Sequence, residues 1–243
     1  MIALYLKEIR SFLSSLIGYV VIGVFLLLVG LFMWVFPQDF NVLDQGFANI
    51  NSLFAIAPWV FMFLIPAITM RSFAEEKRTG TIEMLLTKPL SDMNIVLAKY
   101  FAGLTLVLIA LIPTLVYYIS VYFMGNPVGN IDSGGAMGSY IGLVFLGGAY
   151  VSIGVFASSI TSNQIIAFLL GAMLCFFFFI GFESIGSFKL FGEFDSYILA
   201  LGIYDHNVNL AKGVLDTRDL AYFLGLISLF LLVTRLVLQS RKW

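Results

Sequence analysis

Apolar residues occur along this chain in long uncharged runs, separated by shorter stretches that hold most of the charges. The first run, 17–36, contains twenty residues, and a helix of about twenty apolar residues is long enough to cross a bilayer. The pattern predicts six transmembrane helices, near residues 17–36, 53–70, 100–124, 140–160, 165–182 and 220–238. We therefore expect an all-α membrane protein that forms a single transmembrane domain over residues 1–243.

A different pattern precedes the first run. Over residues 1–15 the apolar and the polar residues are spaced so that they fall on opposite sides of a helix. The apolar side carries Ile2, Tyr5, Leu6, Ile9, Phe12 and Leu13, and the polar side carries Lys7, Glu8, Arg10 and Ser11. This predicts an N-terminal amphipathic helix that lies along the inner membrane surface. The run that follows has no small-residue cleavage site, so we expect a membrane span there and not a signal peptide.

The basic residues are distributed unevenly between the two sides of the predicted bundle. Ten of the thirteen Lys and Arg residues lie at the termini or in the loop after the second span. The loops 37–52 and 125–139 contain acidic residues but no Lys or Arg. The positive-inside rule therefore places both termini and the loop after the second span in the cytoplasm.

Composition supports a membrane protein and excludes several functions. Charged residues make up 11% of the chain, whereas soluble domains carry about a quarter. Without a basic patch we expect no nucleic-acid partner, and without a phosphate loop or a hydrolase motif we expect no enzyme site in this chain. The single Cys175 and the single His206 offer no metal-ligand set, so a structural or solvated His206 is favoured over a metal ligand.

The most polar stretch runs from Arg71 to Lys99 between two apolar runs, and we expect it to lie in water. A short helix is predicted inside it, because Gly80 breaks the incoming chain, Thr81 can cap the next helix and Pro89 ends it. A further helix is expected to start after Ser91, whose hydroxyl can cap it.

The short helix has an apolar face, since Ile82, Leu85 and Leu86 are spaced at i, i+3 and i+4 while Glu83 and Thr87 point away. One interpretation is an amphipathic loop that rests on lipid headgroups. The other is a coupling helix, which fits a groove in a nucleotide-binding subunit and receives its movement. The pattern alone leaves both open.

The residues of this stretch also carry a family resemblance. An acidic pair, a basic pair, Gly-Thr, an acid, a double Leu and Pro follow one another without a gap over residues 75–89. This run resembles the signature of type-2 ABC export permeases. The resemblance extends to Ser91 and residues 95–99, to Lys7-Glu8 and to residues 157–164 and 213–219. Its nearest branches are the permeases associated with gliding motility and with nitrous oxide reductase maturation.

The resemblance implies a bacterial inner-membrane permease subunit driven by a separate ABC ATPase subunit, which would bind the ATP and Mg. It also implies a second permease, either a copy of this chain or a related subunit, and contact with membrane lipid. The residues expected to couple to the ATPase are Glu75, Glu76, Lys77, Arg78, Gly80, Thr81, Ile82, Glu83, Leu85, Leu86 and Pro89. A membrane scaffold that moves no substrate is the alternative.

The longest outer segment, residues 186–219, has apolar patches too short to span, and the resemblance implies an outer gate of short helices there. The candidate gate residues are Glu183, Asp216, Arg218 and Asp219. Glu183 is also consistent with a plain interfacial carboxylate near the outer end of the fifth span. In the fourth span, small residues at Gly148, Ser152, Gly154 and Ser158 indicate close helix packing, either within the chain or between subunits.

Overall fold

The computed structural model of this chain describes residues 1–37, 39–86, 90–188, 192 and 195–240. Every element of regular secondary structure among these residues is a helix. The first seven α-helices are α1 (Ile2–Leu13), α2 (Leu16–Trp34), α3 (Asn51–Thr69), α4 (Arg71–Arg78), α5 (Thr81–Leu86), α6 (Asp92–Leu111) and α7 (Leu115–Met124). The others are α8 (Ser133–Ile160), α9 (Gln164–Phe176), α10 (Phe182–Ser187), α11 (Asp195–Leu199), α12 (Ile203–Ala211) and α13 (Thr217–Gln239).

Among the described residues, five helical segments are long and apolar enough to cross a membrane, namely Asn51–Arg78, Asp92–Met124, Ser133–Ile160, Gln164–Ser187 and Thr217–Gln239. A sixth candidate is the N-terminal pair Ile2–Leu13 and Gly18–Trp34, which is bent by 67°. The bend separates the amphipathic helix α1 from the apolar helix α2. The prediction of an all-α membrane protein is confirmed.

Several helices begin where capping residues place them. The Ser91 hydroxyl accepts a hydrogen bond from the amide of Asn94, as predicted, and the Asp216 carboxylate accepts one from the amide of Arg218. The fourth span starts at Ser133, earlier than the predicted residue 140, because the Asp132 carboxylate caps it. Its first turn was not apolar enough to be recognised from the pattern.

Two spans contain irregular turns. A 3-10 segment, Ile112–Thr114, separates α6 from α7 and contains Pro113, which lacks the amide hydrogen that α-helix requires. A π-helical segment, Phe177–Gly181, separates α9 from α10 in the fifth span. By contrast, α3 continues through Pro58 and Pro66 without a break.

Helix α8 lies at the centre and packs against α3, α6, α9, α12 and α13. Its glycines permit the close approach, since an added Cβ on Gly147 would lie 2.8 Å from Val107 Cγ1, and one on Gly154 would clash with the Thr69 hydroxyl. The small residues of the fourth span therefore serve packing within the chain.

Candidate functional site

A lysine is buried in the polar stretch where we expected water-exposed charge. Lys99, on α6, is 2% exposed, and its Nζ lies 3.1 Å from Glu8 Oε1 and 2.9 Å from Glu76 Oε2. The ammonium also donates to the carbonyl oxygen of Ser72 and lies 4.9 Å from the centre of the Phe73 ring. The prediction that the whole stretch from Arg71 to Lys99 lies in water is therefore wrong.

Lys7 completes this group, because its Nζ lies 3.0 Å from Glu76 Oε1 and 3.5 Å from Glu8 Oε1. Burial alone would lower the pKa of the Lys7 ammonium, but the hydrogen bond to Glu76 and the charges of both carboxylates outweigh it and raise the pKa. We call Lys7, Glu8, Glu76 and Lys99 the ion cluster. It joins α1, α4 and α6 with two positive and two negative charges.

The cluster changes the interpretation of two predicted residues. Glu8 was assigned to the water-facing side of the amphipathic helix, yet its carboxylate pairs with buried Lys99. Glu76 was expected to contact an ATPase, yet it is 9% exposed and both of its carboxylate oxygens face lysines of this chain. Both acids therefore hold α1 and α4 against α6.

A serine of α8 holds the start of α4. Ser158 Oγ accepts hydrogen bonds from the amides of Phe73 and Ala74 at 2.9 and 3.0 Å and donates to the Met70 carbonyl at 2.9 Å. These are backbone groups at a helix start, which need partners outside the helix. Next to it, the Lys77 ammonium donates to the Ser159 carbonyl. Helix α4 is thus fixed to the end of α8 as well as to α1 and α6.

The short helix α5 forms as predicted after a glycine. Gly80 has φ +72°, in the left-handed region that favours glycine at the end of a helix, and α5 begins at the next residue. Ile82 and Leu85 are 7% and 9% exposed and belong to the core of this chain. The apolar face therefore packs on this chain, and Ile82 and Leu85 are not available to fill a groove on another subunit.

Other residues of α5 face outward. Met84 is 72% exposed, and Glu83 and Thr81 are also exposed. A cavity of about 500 Å³ lies between α1 and α5, and its lining includes Met1, Leu4 and Met84. The side chain of Leu86 and the whole of Pro89, both predicted coupling residues, lie outside the described residues.

The structure thus divides the predicted coupling residues into two groups. Glu76, Ile82 and Leu85 are buried and hold the segment in place, and Lys77 is half-buried against α8. The remaining described members are exposed or partly exposed: Glu75, Arg78, Gly80, Thr81 and Glu83.

A second polar cluster lies around Asp219, in the first turn of α13. The carboxylate of Asp219 is 2.6 Å from His206 Nδ1 and accepts a hydrogen bond of 3.2 Å from Asn209 Nδ2. The His206 ring stacks on Tyr222 with centroids 4.0 Å apart, and the Tyr222 hydroxyl donates to the Leu201 carbonyl. We call His206, Asn209, Asp219 and Tyr222 the outer cluster.

Of the four predicted gate residues, only Asp219 belongs to the outer cluster. Asp216 caps α13, Arg218 is exposed, and Glu183 in α10 makes no hydrogen bond to the cluster. The ring nitrogens of His206 lie 2.6 Å from Asp219 Oδ1 and 3.0 Å from the carbonyl oxygen of Ala200. Among the described residues no group of three or more His, Cys, Asp or Glu side chains could hold a metal ion.

Sequence reasoning missed the roles of Ser158 and Lys99. Both lie in regions that carry the family resemblance, which was the available signal. Ser158 was interpreted as a small packing residue because its hydroxyl is not distinguished by spacing. Lys99 was interpreted as the end of the water-exposed stretch because its two acidic partners are distant in sequence.

The described residues form a helical bundle with five or six candidate membrane spans, which indicates a multi-pass membrane protein. The chain matches the model of the ABC-2 family transporter proteins over residues 2–238. It therefore belongs to this family of ABC permeases, whose domain is a membrane component and is not itself catalytic. A comparison with curated proteins finds no match to the chain.

Proposed function

We propose that this chain is the permease subunit of a bacterial ABC export complex in the inner membrane, driven by a separate ATPase subunit that binds ATP and Mg. The observation that carries the proposal is the construction of α4 and α5. This segment is fixed to α1, α6 and α8 by buried ionic and hydrogen-bonded contacts, while Glu83 and Met84 remain exposed on it. A movement imposed on α5 would therefore reach three other helices.

The same geometry supports a contact with the ATPase through the exposed side chains of α5. The contact surface consists of Met84, Glu83 and Thr81 on α5, together with the adjoining cavity beside the first residues of α1. Ile82 and Leu85 position this surface from beneath. An exposed methionine at the centre of such a surface suits an apolar pocket on a partner.

The test is recovery of the ATPase subunit with the full-length chain purified in detergent. Met84→Asp places a charge in the contact and should lower recovery by about tenfold or more, without changing the thermal unfolding of the chain. Glu83→Gln should mainly reduce the dependence of the association rate on salt. Met137→Asp, at another exposed methionine, is the matched control and should recover the ATPase as the wild type does. Wild-type recovery with Met84→Asp would rule out this contact and favour a headgroup-resting loop.

A second permease subunit, identical or related, is the further partner. An apolar groove of about 770 Å³ runs between α2 and α3, with Phe168 of α9 at its edge. Val24 and Phe63 on its walls are 48% and 58% exposed. Pairing through the first and fifth spans would cover this surface. The mass of the reconstituted complex checks it, because a particle with one permease that still transports would contradict pairing.

The topology of the proposal has both termini and α4–α5 in the cytoplasm. Single cysteines at Asp44, Asp132 and Asp205 should react with an impermeant reagent in intact cells, and one at Arg78 should not. The native thiol is no obstacle because Cys175 is buried. Arg241, also assigned to the cytoplasm, lies outside the described residues. Labelling at Arg78 from outside would overturn the assigned orientation.

The resemblance of residues 75–89 to the gliding-motility branch supports a role in cell movement on surfaces. Deletion of the gene tests this role, and the deleted strain should lose its movement on surfaces. A transport assay in reconstituted vesicles distinguishes a permease from the scaffold alternative. A scaffold complex would retain ATPase activity and move no substrate. Lipid, polysaccharide and peptide remain the substrate classes to be assayed.

A further inference from the structure

A cavity of about 310 Å³ lies between α1, the junction of α3 and α4, and α6. Six charged side chains line it: Lys7, Glu8, Arg71, Glu75, Glu76 and Lys99. Apolar side chains that include Phe12, Ile68 and Leu106 line it as well. It shares Lys7, Glu76 and Thr81 with the cavity between α1 and α5, whereas Arg71 and Glu75 line only this one of the two.

The charges of the cavity do not all neutralise one another. The four residues of the ion cluster pair as two cations with two anions. Arg71 and Glu75 remain, and within the described part of the chain neither side chain has an ion-pair or hydrogen-bond partner. The Nε atom of Arg71 is nonetheless buried, and a buried donor without an acceptor is costly. The cavity thus presents one free cation and one free anion.

These two residues lie one helical turn apart at the start of α4, directly after α3. The apolar part of the cavity extends toward the membrane centre, because Leu106 follows Lys99 by two turns of α6, about 10 Å along the helix axis. The cavity is therefore polar at one end and apolar at the other. Such a shape fits an amphiphile better than a soluble ion.

We propose that this cavity binds the headgroup of a zwitterionic phospholipid, phosphatidylethanolamine, from the inner leaflet. Its phosphate accepts hydrogen bonds from Arg71, and its ammonium group donates to the Glu75 carboxylate. An acyl chain extends along Phe12, Ile68 and Leu106. The bound lipid joins α1 to α4 beside the ion cluster and satisfies the buried Nε of Arg71.

The experiment is native mass spectrometry of the full-length chain in detergent, titrated with phosphatidylethanolamine or phosphatidylglycerol. The wild type should bind phosphatidylethanolamine about tenfold more tightly than phosphatidylglycerol, because Glu75 pairs with the ammonium group of the first and repels the anionic headgroup of the second. Arg71→Gln should weaken its binding by about tenfold, and Arg71→Lys by less. Glu75→Gln should remove the preference between the two lipids. Arg10→Gln, at an exposed residue of α1 that does not line the cavity, is the matched control and should bind as the wild type does.

Two further arms separate the possible sources of the same chemistry. Inorganic phosphate and soluble glycerophosphoethanolamine should not displace the lipid at equal concentration, since they lack the acyl chain. Displacement of the lipid by inorganic phosphate would overturn the lipid site and show that the cavity binds a free anion. Equal binding of the two lipids by the wild type, or wild-type binding by folded Arg71→Gln, would overturn the proposal. The readout requires no ATPase subunit, so its failure leaves the proposed transport function standing.

Discussion

The two polar clusters of this protein are assembled over different lengths of chain. The ion cluster joins Lys99 to Glu8, 91 residues away, and Lys7 to Glu76, 69 residues away. The outer cluster joins Asp219 to His206 and Asn209, which are 13 and 10 residues away. The first requires α1, α4 and α6 to be packed together, whereas the second requires only α12 and α13.

This difference bears on what each cluster can do. Contacts that join distant elements break only when much of the domain opens, whereas contacts between neighbouring elements can open locally. The ion cluster therefore suits a junction that has to stay intact while force passes through it. The outer cluster suits an element that moves by itself. The following variants test this contrast.

The largest effect is expected for Lys99→Met. It removes the buried one of the two cations that Glu8 and Glu76 share, leaves only the exposed Lys7 beside these largely buried carboxylates, and should lower the free energy of unfolding by about 3 kcal/mol. Chemical unfolding of the full-length chain in bicelles measures this. Lys212→Met, at an exposed lysine, should change it by less than about 0.5 kcal/mol.

A triple variant sharpens this result. Lys99→Met combined with Glu8→Gln and Glu76→Gln removes the excess negative charge, leaves Lys7 exposed to solvent, and should recover most of the lost stability, since buried ion pairs contribute little net free energy. If Lys99→Met and Lys212→Met unfold alike, the ion cluster does not hold the three helices together.

Ser158→Ala should be the next most damaging change. It removes the acceptor for two amides of α4 and the donor to Met70, and it should lower the free energy of unfolding by about 2 kcal/mol. Ser159→Ala is a matched control, because within the described part of the chain the Ser159 hydroxyl bonds only to the carbonyl of Phe156 in its own helix. Equal effects of the two variants would contradict the role of Ser158 at the start of α4.

Asp219→Asn should act locally. It keeps the side-chain volume but removes the negative charge of the carboxylate that accepts hydrogen bonds from His206 and Asn209. The rate of amide hydrogen exchange in α12 should therefore rise by about tenfold. Exchange in the centre of α8 should stay at the wild-type rate. Asp205→Asn, at an exposed acid of α12, serves as the control. A uniform rise through α8 would show that the outer cluster is not an independent unit.

The smallest effects come from a pair of tyrosines, one in each region. Tyr5→Phe removes the hydrogen bond to Thr105, and Tyr222→Phe removes the one to Leu201. Tyr5→Phe should lower the free energy of global unfolding by about 0.5–1 kcal/mol. Tyr222→Phe should lower by the same amount only the free energy of local opening of α12, which amide hydrogen exchange measures. Tyr19→Phe, whose ring is 66% exposed, should change neither quantity.

The spans were predictable because each depends on a local run of apolar residues. The sixth was predicted at 220–238 and found at Thr217–Gln239, and the fifth was predicted from 165 and begins at Gln164. The π-helical turn at Phe177–Gly181 was not predictable. An unbroken run of apolar residues has no apolar–polar periodicity, so the extra residue of a π turn leaves no sign in the pattern. The apolar pattern also gave no information on the early start at Ser133.

The site was less predictable, because its contacts join distant parts of the chain. Periodicity placed Glu8 on the water-facing side of α1, since amphipathicity assumes one apolar environment and one aqueous one. The buried ammonium of Lys99 provides a third environment. Likewise, Ile82 and Leu85 were correctly placed on one apolar face of α5, but the partner of that face is the core of this chain.

Helix α8 has hydrogen bonds to other elements near both ends. Ser158 bonds to the junction of α3 and α4, and Ser139 donates to the carbonyl of Ala211 at the end of α12. Nineteen residues separate these serines, about 28 Å along the axis, and a helix packed on most of its surface does not shorten appreciably over that length. An axial displacement of α4 by one ångström would therefore reach α12 almost undiminished, and the outer cluster, which α12 helps to form, would change position in step with it.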